Sequence, residues 1–196
     1  PGKTVLIGDT LDDAAGEALD KAAQILQLGY PGGPEIEKHA ARYLDQRGYT
    51  TGEESKLETE NPFPVIMKSL GREQVQFSFS GIKTSLLRRF DPTTPEVMPA
   101  LAFFYQERIV EHIVRNLSHA IAAIGQLPVV AAGGVLANGR LRRALQLQCE
   151  KQGVRLLIPE NQFCTDNAAM VAAAAELYFA ARVESPYTDI SSNNAF

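Results

Sequence analysis

Residues 128–158 read PVVAAGGVLANGRLRRALQLQCEKQGVRLLI. Pro128–Ala132 is a short apolar run of the kind that makes a buried strand, and Gly133-Gly134 turns it sharply. Asn138 to Lys151 then places Leu141, Ala144, Leu145 and Leu147 at helical spacing, before a second apolar run at Val154–Ile158. The expected class is α/β, with helices covering a partly parallel sheet.

Working outward, the opening of the chain repeats the grammar. Thr4–Ile7 is a β-prone run, and Thr10-Leu11-Asp12-Asp13 resembles a capping box whose acids suit the positive end of a helix. Leu11, Ala14, Ala15, Ala18, Leu19, Ala22, Ala23 and Leu26 recur at three and four, and Gly29 is the stop. Pro34 suits the first position of a second helix that carries Ile36, Ala40, Tyr43 and Leu44 and ends at Gly48. From Tyr49 to Asn61 the chain is polar and aperiodic, so a mobile loop or insertion is expected. Val75, Phe77 and Phe79 alternate as a strand, Gly81–Phe90 reads as a short helix, and Pro95–Ile124 as a long amphipathic one. A last helix runs from a cap at Thr165 or Asp166 to Ala181, and the pattern fades after Ser185. The units are therefore 1–48 (a strand and two helices), 49–74 (a loop or insertion), 75–184 (the main α/β lobe) and 185–196 (a tail).

Composition narrows the class of function. The chain has 196 residues, 45% of them apolar, and a formal net charge of −4, which rules out disorder and a generally basic nucleic-acid binder. Cys149 and Cys164 form no disulfide framework and no CxxC, as expected of reduced thiols in the cytosol. Residues 116–139 lack Asp, Glu, Lys and Arg, but Gly125, Pro128 and Gly133-Gly134 cut them into pieces too short to span a bilayer. A chain that starts at Pro1 instead of Met is expected to be a processed product or part of something longer.

Four groups of residues carry chemical readings, each beside a plainer one. Gly133-Gly134 lets backbone N–H groups approach a phosphate or sugar, with Asn138 beside it, or is an ordinary turn. Asp20 and Glu37 flank the loop Pro31-Gly32-Gly33-Pro34, where they suit ribose hydroxyls while Gly33 leaves space for a base; alternatively both are solvated surface acids. Asp166 is a helix cap or a hard oxygen ligand for a metal. Arg140, Arg142, Arg143, Lys151 and Arg155, with Lys83, Arg88 and Arg89, are a solvated face or a contact for RNA phosphates. His112 and His119 share a helix face without metal-ligand partners and read as packed or surface residues; His39 has no visible role.

Taken together, GDTLDDAAGEALDK (8–21), YPGGPEIEK (30–38), FSFSGIKT (77–84), AGGVLAN (132–138) and CTDNAAM (164–170) change the reading. In that order they resemble the TsaD/Kae/Gcp family, the tRNA threonylcarbamoyladenosine transferases of the actin-like ATPase (ASKHA) fold, and the wording of the first motif is similar to the bacterial TsaD type. The resemblance spans residues 8–170 but only the carboxyl-terminal part of the family's length. The family's amino-terminal lobe, with its metal-binding His-x-x-x-His pair and Ser-Gly-Gly segment, has no counterpart in this chain. Small departures are Asp9 for Glu, Leu19 for Phe and a longer Glu53–Gly71 segment, none at a ligand position.

The resemblance implies that Asp20, Gly33 and Glu37 hold the adenosine part of a nucleotide, that Gly133, Gly134 and Asn138 line the same cleft from the other side, and that Asp166 is the carboxylate ligand of a divalent iron or zinc ion. It implies transfer of threonylcarbamoyl from threonylcarbamoyl-AMP to the adenosine beside the anticodon, position 37 of tRNA, in the cytoplasm. TsaB, TsaE, an upstream threonylcarbamoyl-AMP synthase and tRNA are the implied partners, and a homo-oligomer is compatible with the reading. No catalytic general base is nominated, and the fragment alone is expected to be inactive. The competing readings are a metallopeptidase, which lacks a His-Glu-x-x-His motif here, and a non-catalytic adenine-nucleotide-binding scaffold of the same fold.

Overall fold

A computed structural model describes residues 4–66 and 75–180. In chain order they form β1 (Gly8–Thr10), α1 (Ala15–Ile25), α2 (Gly32–Gln46), a 3-10 helix (Glu54–Glu60), β2 (Val75–Phe77), α3 (Ser80–Leu87) and α4 (Met98–Ile124). β3 (Val129–Val130), a 3-10 turn (Gly134–Ala137), α5 (Gly139–Lys151), β4 (Leu156–Leu157) and α6 (Ala168–Ala180) follow. The class is α/β, with all strand pairing parallel among the described residues: Gly8 lies opposite Val75, and Val129 opposite Leu156. The pairs form two separate two-stranded sheets, which corrects the expectation of one partly parallel sheet.

The centre of the molecule is α4. Its expected apolar stripe is present, yet its first half is buried nearly all round: Leu101, Ala102, Phe103, Phe104, Tyr105, Ile109 and Val110 are each at most 7% exposed. Phe103 and Phe104 lie off the single stripe, and the ring of Tyr43 on α2 covers them at centroid distances of 5.3 and 5.5 Å. Each such aromatic removed from water contributes roughly 1.5–3 kcal/mol. Alanines at 18, 22 and 23 keep the buried face of α1 shallow, and the Tyr105 hydroxyl donates to Ala18 O at 3.1 Å. Farther along α4, Val110 joins Leu136, Leu141 and Leu145, and Ile121 joins Cys149 and Val154. One helix is thus the shared spine of the front helices and the β3–α5–β4 unit.

Several local expectations give way to tertiary contacts. Pairing begins where Val75 N–H donates to Ile7 O at 2.8 Å, so the first strand occupies Gly8–Thr10 instead of Thr4–Ile7. A Cβ at Gly8 would lie 2.3 Å from Val75 O, so this close approach requires glycine. The capping-box reading also fails, because α1 starts at Ala15 with no side-chain cap and Asp12 serves α3 instead. One Asp12 oxygen accepts from Phe79 N–H at 2.7 Å, while the other accepts from the hydroxyls of Ser78 and Ser80 at 2.6 and 2.8 Å. Partial burial works against its charge, but these donors hold the carboxyl down to about 2. Phe79 is accordingly not a strand residue; it precedes α3 and is buried.

Pro34 falls at the third residue of α2, which starts at Gly32. The polar stretch expected as a loop contains the 3-10 helix Glu54–Glu60, with Glu54 and Leu57 buried. In the last third, Val130 on β3 and Leu147 on α5 are 71% and 64% exposed where burial was expected; Leu147 lies off the helix stripe Leu141, Leu145 and Cys149 that is buried. The first-turn acceptor of α6 is Asn167, whose Oδ1 receives Met170 N–H at 2.9 Å, and neither Thr165 nor Asp166 caps it. No residue of α6 is buried. The expected end of that helix at Ala181, the tail 185–196 and part of the Glu53–Gly71 segment lie outside the described residues. No described helix is long and apolar enough to cross a membrane.

His112 is 1% exposed between the rings of Phe77 and Phe79, at 5.6 and 5.4 Å, whereas His119 is exposed. Burial, and secondarily the charge of Arg115, lowers His112 from 6.5 to about 4, with opposing pulls from Ile66 O, Glu111 and Asp12. Its folded pKa is depressed, so the unfolded chain takes up the proton first and the associated stability, complete above pH 6.5, is lost as pH falls through 4. Denaturant unfolding followed from pH 7 to 4 should show a loss of at most about 3 kcal/mol that is missing in His112→Gln. Asp12→Ala should cost about 1–2 kcal/mol at pH 7, measured as a lower urea midpoint at unchanged slope. A wild-type midpoint in Asp12→Ala would mean that the Asp12 carboxylate does not hold the start of α3.

Candidate functional site

Two walls face each other where α1 meets the Gly134–Ala137 turn. The first is built by the α1–α2 connection. Asp20 is exposed on α1, and its Oδ1 accepts the N–H of Gly32, the first residue of α2, at 2.8 Å. The helix start thereby gains an acceptor that Pro31 cannot provide through a side chain. A Cβ on Gly32 would lie 2.5 Å from Asp20 Cα and 2.9 Å from Ala23 Cβ, so Gly32 is the glycine that packing demands. At Gly33 a Cβ would meet nothing nearer than Leu19 Cδ1 at 4.0 Å, which leaves a half-buried backbone with open space before it. Asp20 also lines a concavity of about 550 Å³ with Glu17, Lys21, Gln24 and Tyr30.

The second wall is the turn after β3. Gly133 has φ of +113°, which an L side chain would strain, and both Gly133 and Gly134 are exposed. Asn138 then starts α5, but its side chain is committed within the fold: Oδ1 accepts Leu141 N–H and Nδ2 donates to Gln106 Oε1, each at 2.8 Å. Asn138 and Gln106 are only 7% and 4% exposed. The walls are joined by Glu37, whose Oε1 accepts Gly139 N–H at 2.8 Å and so places a carboxylate at the positive end of α5. The structure therefore sets Asp20 against the Gly32-Gly33 start of α2, sets Glu37 against the α5 start that Asn138 and Gly139 form, and gives Asn138 a capping role.

Asp166 lies beyond the same turn. Thr165 Cγ2 is 3.6 Å from the position of a Cβ on Gly134, which brings this segment against the glycine pair. Asp166 is exposed, and its side chain has no hydrogen bond or ion pair among the described residues. No three His, Cys, Asp or Glu side chains among the described residues are grouped to hold a metal ion. The donor set present is thus one free carboxylate oxygen pair, which fits a contribution to a shared metal site and not a site complete in itself.

The basic run of α5 is turned inward. Arg140 forks onto Glu107 of α4 at 2.9 and 2.7 Å, Arg143 reaches Glu54 at 3.0 Å, and Arg142 donates to main-chain carbonyls. Burial raises the Glu107 carboxyl despite Arg140, whereas Glu54, also buried, is held low by backbone donors and the two arginines. Arg140 and Arg143 tie the 3-10 helix at 54–60 to α4 and α5, so with Arg142, Lys83 on Asp13 and Arg89 on Ser85 and Pro62 O, five of the eight basic residues expected on a phosphate-facing or solvated surface are engaged within the fold. Gln106 and Glu107 went unnoticed in the sequence, although a Gln-Glu pair inside the most apolar stretch of α4 is a signal that buried partners exist.

Comparison with known proteins gives one consistent answer. The profile of the family described as "TsaD: tRNA N6-adenosine threonylcarbamoyltransferase" matches residues 2–173. The tRNA N6-adenosine threonylcarbamoyltransferase of Leptospira interrogans is 39% identical over 174 residues, covering 88% of this chain and 48% of that protein. That of Thermosipho africanus is 40% identical over 171 residues, covering 86% and 47%, and that of Magnetococcus marinus 43% over 177 residues, covering 88% and 46%. The chain spans about half the length of the curated relatives it matches.

The two glycines of the first wall should respond unequally to the same substitution. Gly32→Ala is expected to lower stability by about 1–3 kcal/mol through overpacking against Asp20, while Gly33→Ala changes it by less than about 1 kcal/mol. Thermal or urea unfolding of the two variants checks this, and equal effects would remove the distinction between packing and open glycine.

Proposed function

The chain belongs to the tRNA N6-adenosine threonylcarbamoyltransferase (TsaD) family, and from that premise we propose that it forms the nucleoside-gripping, carboxyl-terminal lobe of an actin-like ATPase fold. The observation that carries this reading is the Glu37–Gly139 hydrogen bond at 2.8 Å, which holds the acid-bearing helices against the glycine turn. An adenylate seated between them meets Asp20 and Glu37 as acceptors for ribose hydroxyls. Each carboxylate spends one oxygen on a backbone N–H and keeps the other, with further lone pairs, for a ligand. Gly33 supplies room for the flat base, and Gly133-Gly134 presents its main chain to the phosphate side. Asn138 acts by fixing the start of α5 and with it the turn.

The reaction is transfer of threonylcarbamoyl from threonylcarbamoyl-AMP to tRNA. The N6 amine of the target adenosine attacks the carbamoyl carbonyl, a C–N bond forms, the C–O bond of the mixed anhydride breaks, AMP leaves with the electron pair, and the N6 proton passes to solvent. This chain's residues contribute by binding and orientation, and none of them is assigned as a general base. Asp166 supplies one ligand to a divalent iron or zinc ion whose other protein ligands lie outside the chain; when bound, such an ion polarises a carbonyl or steadies a phosphate. The work is placed in the cytoplasm with tRNA, TsaB, TsaE and a threonylcarbamoyl-AMP synthase as partners. The names of the relatives favour this transferase over a peptidase or a non-catalytic scaffold.

Two substitutions in the full-length protein separate the roles. Asp20→Asn keeps an acceptor for Gly32 and should weaken AMP binding by about 1–3 kcal/mol in calorimetry, the scale of a lost charged hydrogen bond. Asp166→Ala should leave AMP affinity within about twofold while transfer to tRNA is lost. Unchanged AMP binding in Asp20→Asn would return that residue to the solvated surface.

A further inference from the structure

We infer that Arg142 is a positioning residue that fixes the spacing between the glycine turn and the Asp166 segment; the inference rests on the nucleotide-site reading above. Arg142 sits in the first turn of α5 and is half-buried. Its Nε donates to Leu136 O at 2.5 Å, inside the 3-10 turn that follows Gly133. Its Nη2 donates to Pro159 O at 2.9 Å and to Cys164 Sγ at 3.0 Å. Cys164 is 4% exposed and stands two residues before Asp166; Leu136 is 3% exposed. One planar cation therefore joins the turn that lines the nucleotide cleft, the chain leaving β4 and the segment that carries the only proposed metal ligand.

The chemistry calls for arginine. Nε and Nη2 lie on one edge of a rigid fork, so they reach two carbonyls and a thiol at once, and a charged donor makes each bond stronger than a neutral one. Lysine carries the charge but not the fork. The start of α5 is already pinned by Asn138 and Glu37, so the guanidinium is referenced to a fixed point and not to a mobile side chain. Thr165 Cγ2 lies 3.6 Å from where a Cβ on Gly134 would stand, so the two segments that Arg142 joins are close neighbours. No carboxylate pairs with Arg142 among the described residues, which separates it from Arg140 and Arg143, whose ion pairs hold the opposite side of α5.

The test compares Arg142→Lys with the unmodified full-length protein in a Cys149→Ser background. Three quantities are read: the rate of Cys164 modification by a soluble disulfide reagent, AMP affinity by calorimetry, and kcat and KM for threonylcarbamoyl-AMP. The expected result is at least about tenfold faster Cys164 labelling, AMP affinity within about threefold, and kcat down by about 10–100-fold at little-changed KM, the loss typical of a displaced reacting group. A protected Cys164 with wild-type kcat overturns the inference. So does a parallel loss of thermal stability, AMP binding and kcat, which would make Arg142 merely structural. Should Arg142→Lys fail to fold, Cys164→Ala, which keeps both carbonyl bonds and removes the one bond from Arg142 to the Asp166 segment, must lower kcat by more than about threefold at little-changed AMP affinity, and a wild-type kcat overturns the inference. If the unmodified protein does not bind AMP, the nucleotide reading fails, while the labelling contrast still decides whether Arg142 holds the two segments together.

Discussion

The arrangement depends on a carboxylate of α2 accepting the first N–H of α5, 2.8 Å away and 102 residues along the chain. That contact meets two needs. It satisfies a backbone donor that the helix leaves unpaired at its start, and it sets negative charge where the aligned peptide dipoles favour it. The same acid thereby sits against the start of α5, just after the glycine turn. It gives the front helices a direct polar tie to the β3–α5–β4 unit, beside the apolar packing and the Gln106 and Glu107 contacts that run through α4.

Around this contact the polar side chains of α5 divide into separate tasks. Asn138 and Gln106 register the helix start on α4 through a buried amide pair. Arg140 and Arg143 bind the 3-10 helix at 54–60 and α4 through Glu54 and Glu107. Arg142 faces the other way, toward the Cys164 segment. An acidic protein with a basic helix thereby uses Arg140, Arg142 and Arg143 as internal ties. Buried pairs of this kind contribute geometry more than net stability, since desolvation offsets much of their attraction.

How much of this was legible in the sequence depends on the range of the interaction. Periodicity placed α1, α2, α4 and α5, because burial of a stripe leaves its spacing in the residues themselves. It did not reveal that Phe103 and Phe104 are buried off the stripe, since that depends on Tyr43 of another helix. Asp12 had every local mark of a cap for the helix after it, yet its partners are Ser78, Phe79 and Ser80, more than sixty positions away. Gly32 and Gly33 are indistinguishable as letters, and only the position of Asp20 separates the packed one from the open one. The motif resemblance supplied the family and a set of candidate site residues together, whereas the contacts of Gln106, Glu107 and Arg142 required coordinates, because a residue's facing cannot be read from its type.

The central claim is that an adenylate lies between the acids of the opening helices and the glycine pair after β3. The most direct measurement is a crystal structure of the full-length protein with AMP bound. The account predicts ribose oxygens within about 3.2 Å of Asp20 and Glu37 carboxylate oxygens, with the phosphate on the Gly133-Gly134 side. Density for AMP in any other cleft, with those two carboxylates facing solvent, would contradict it.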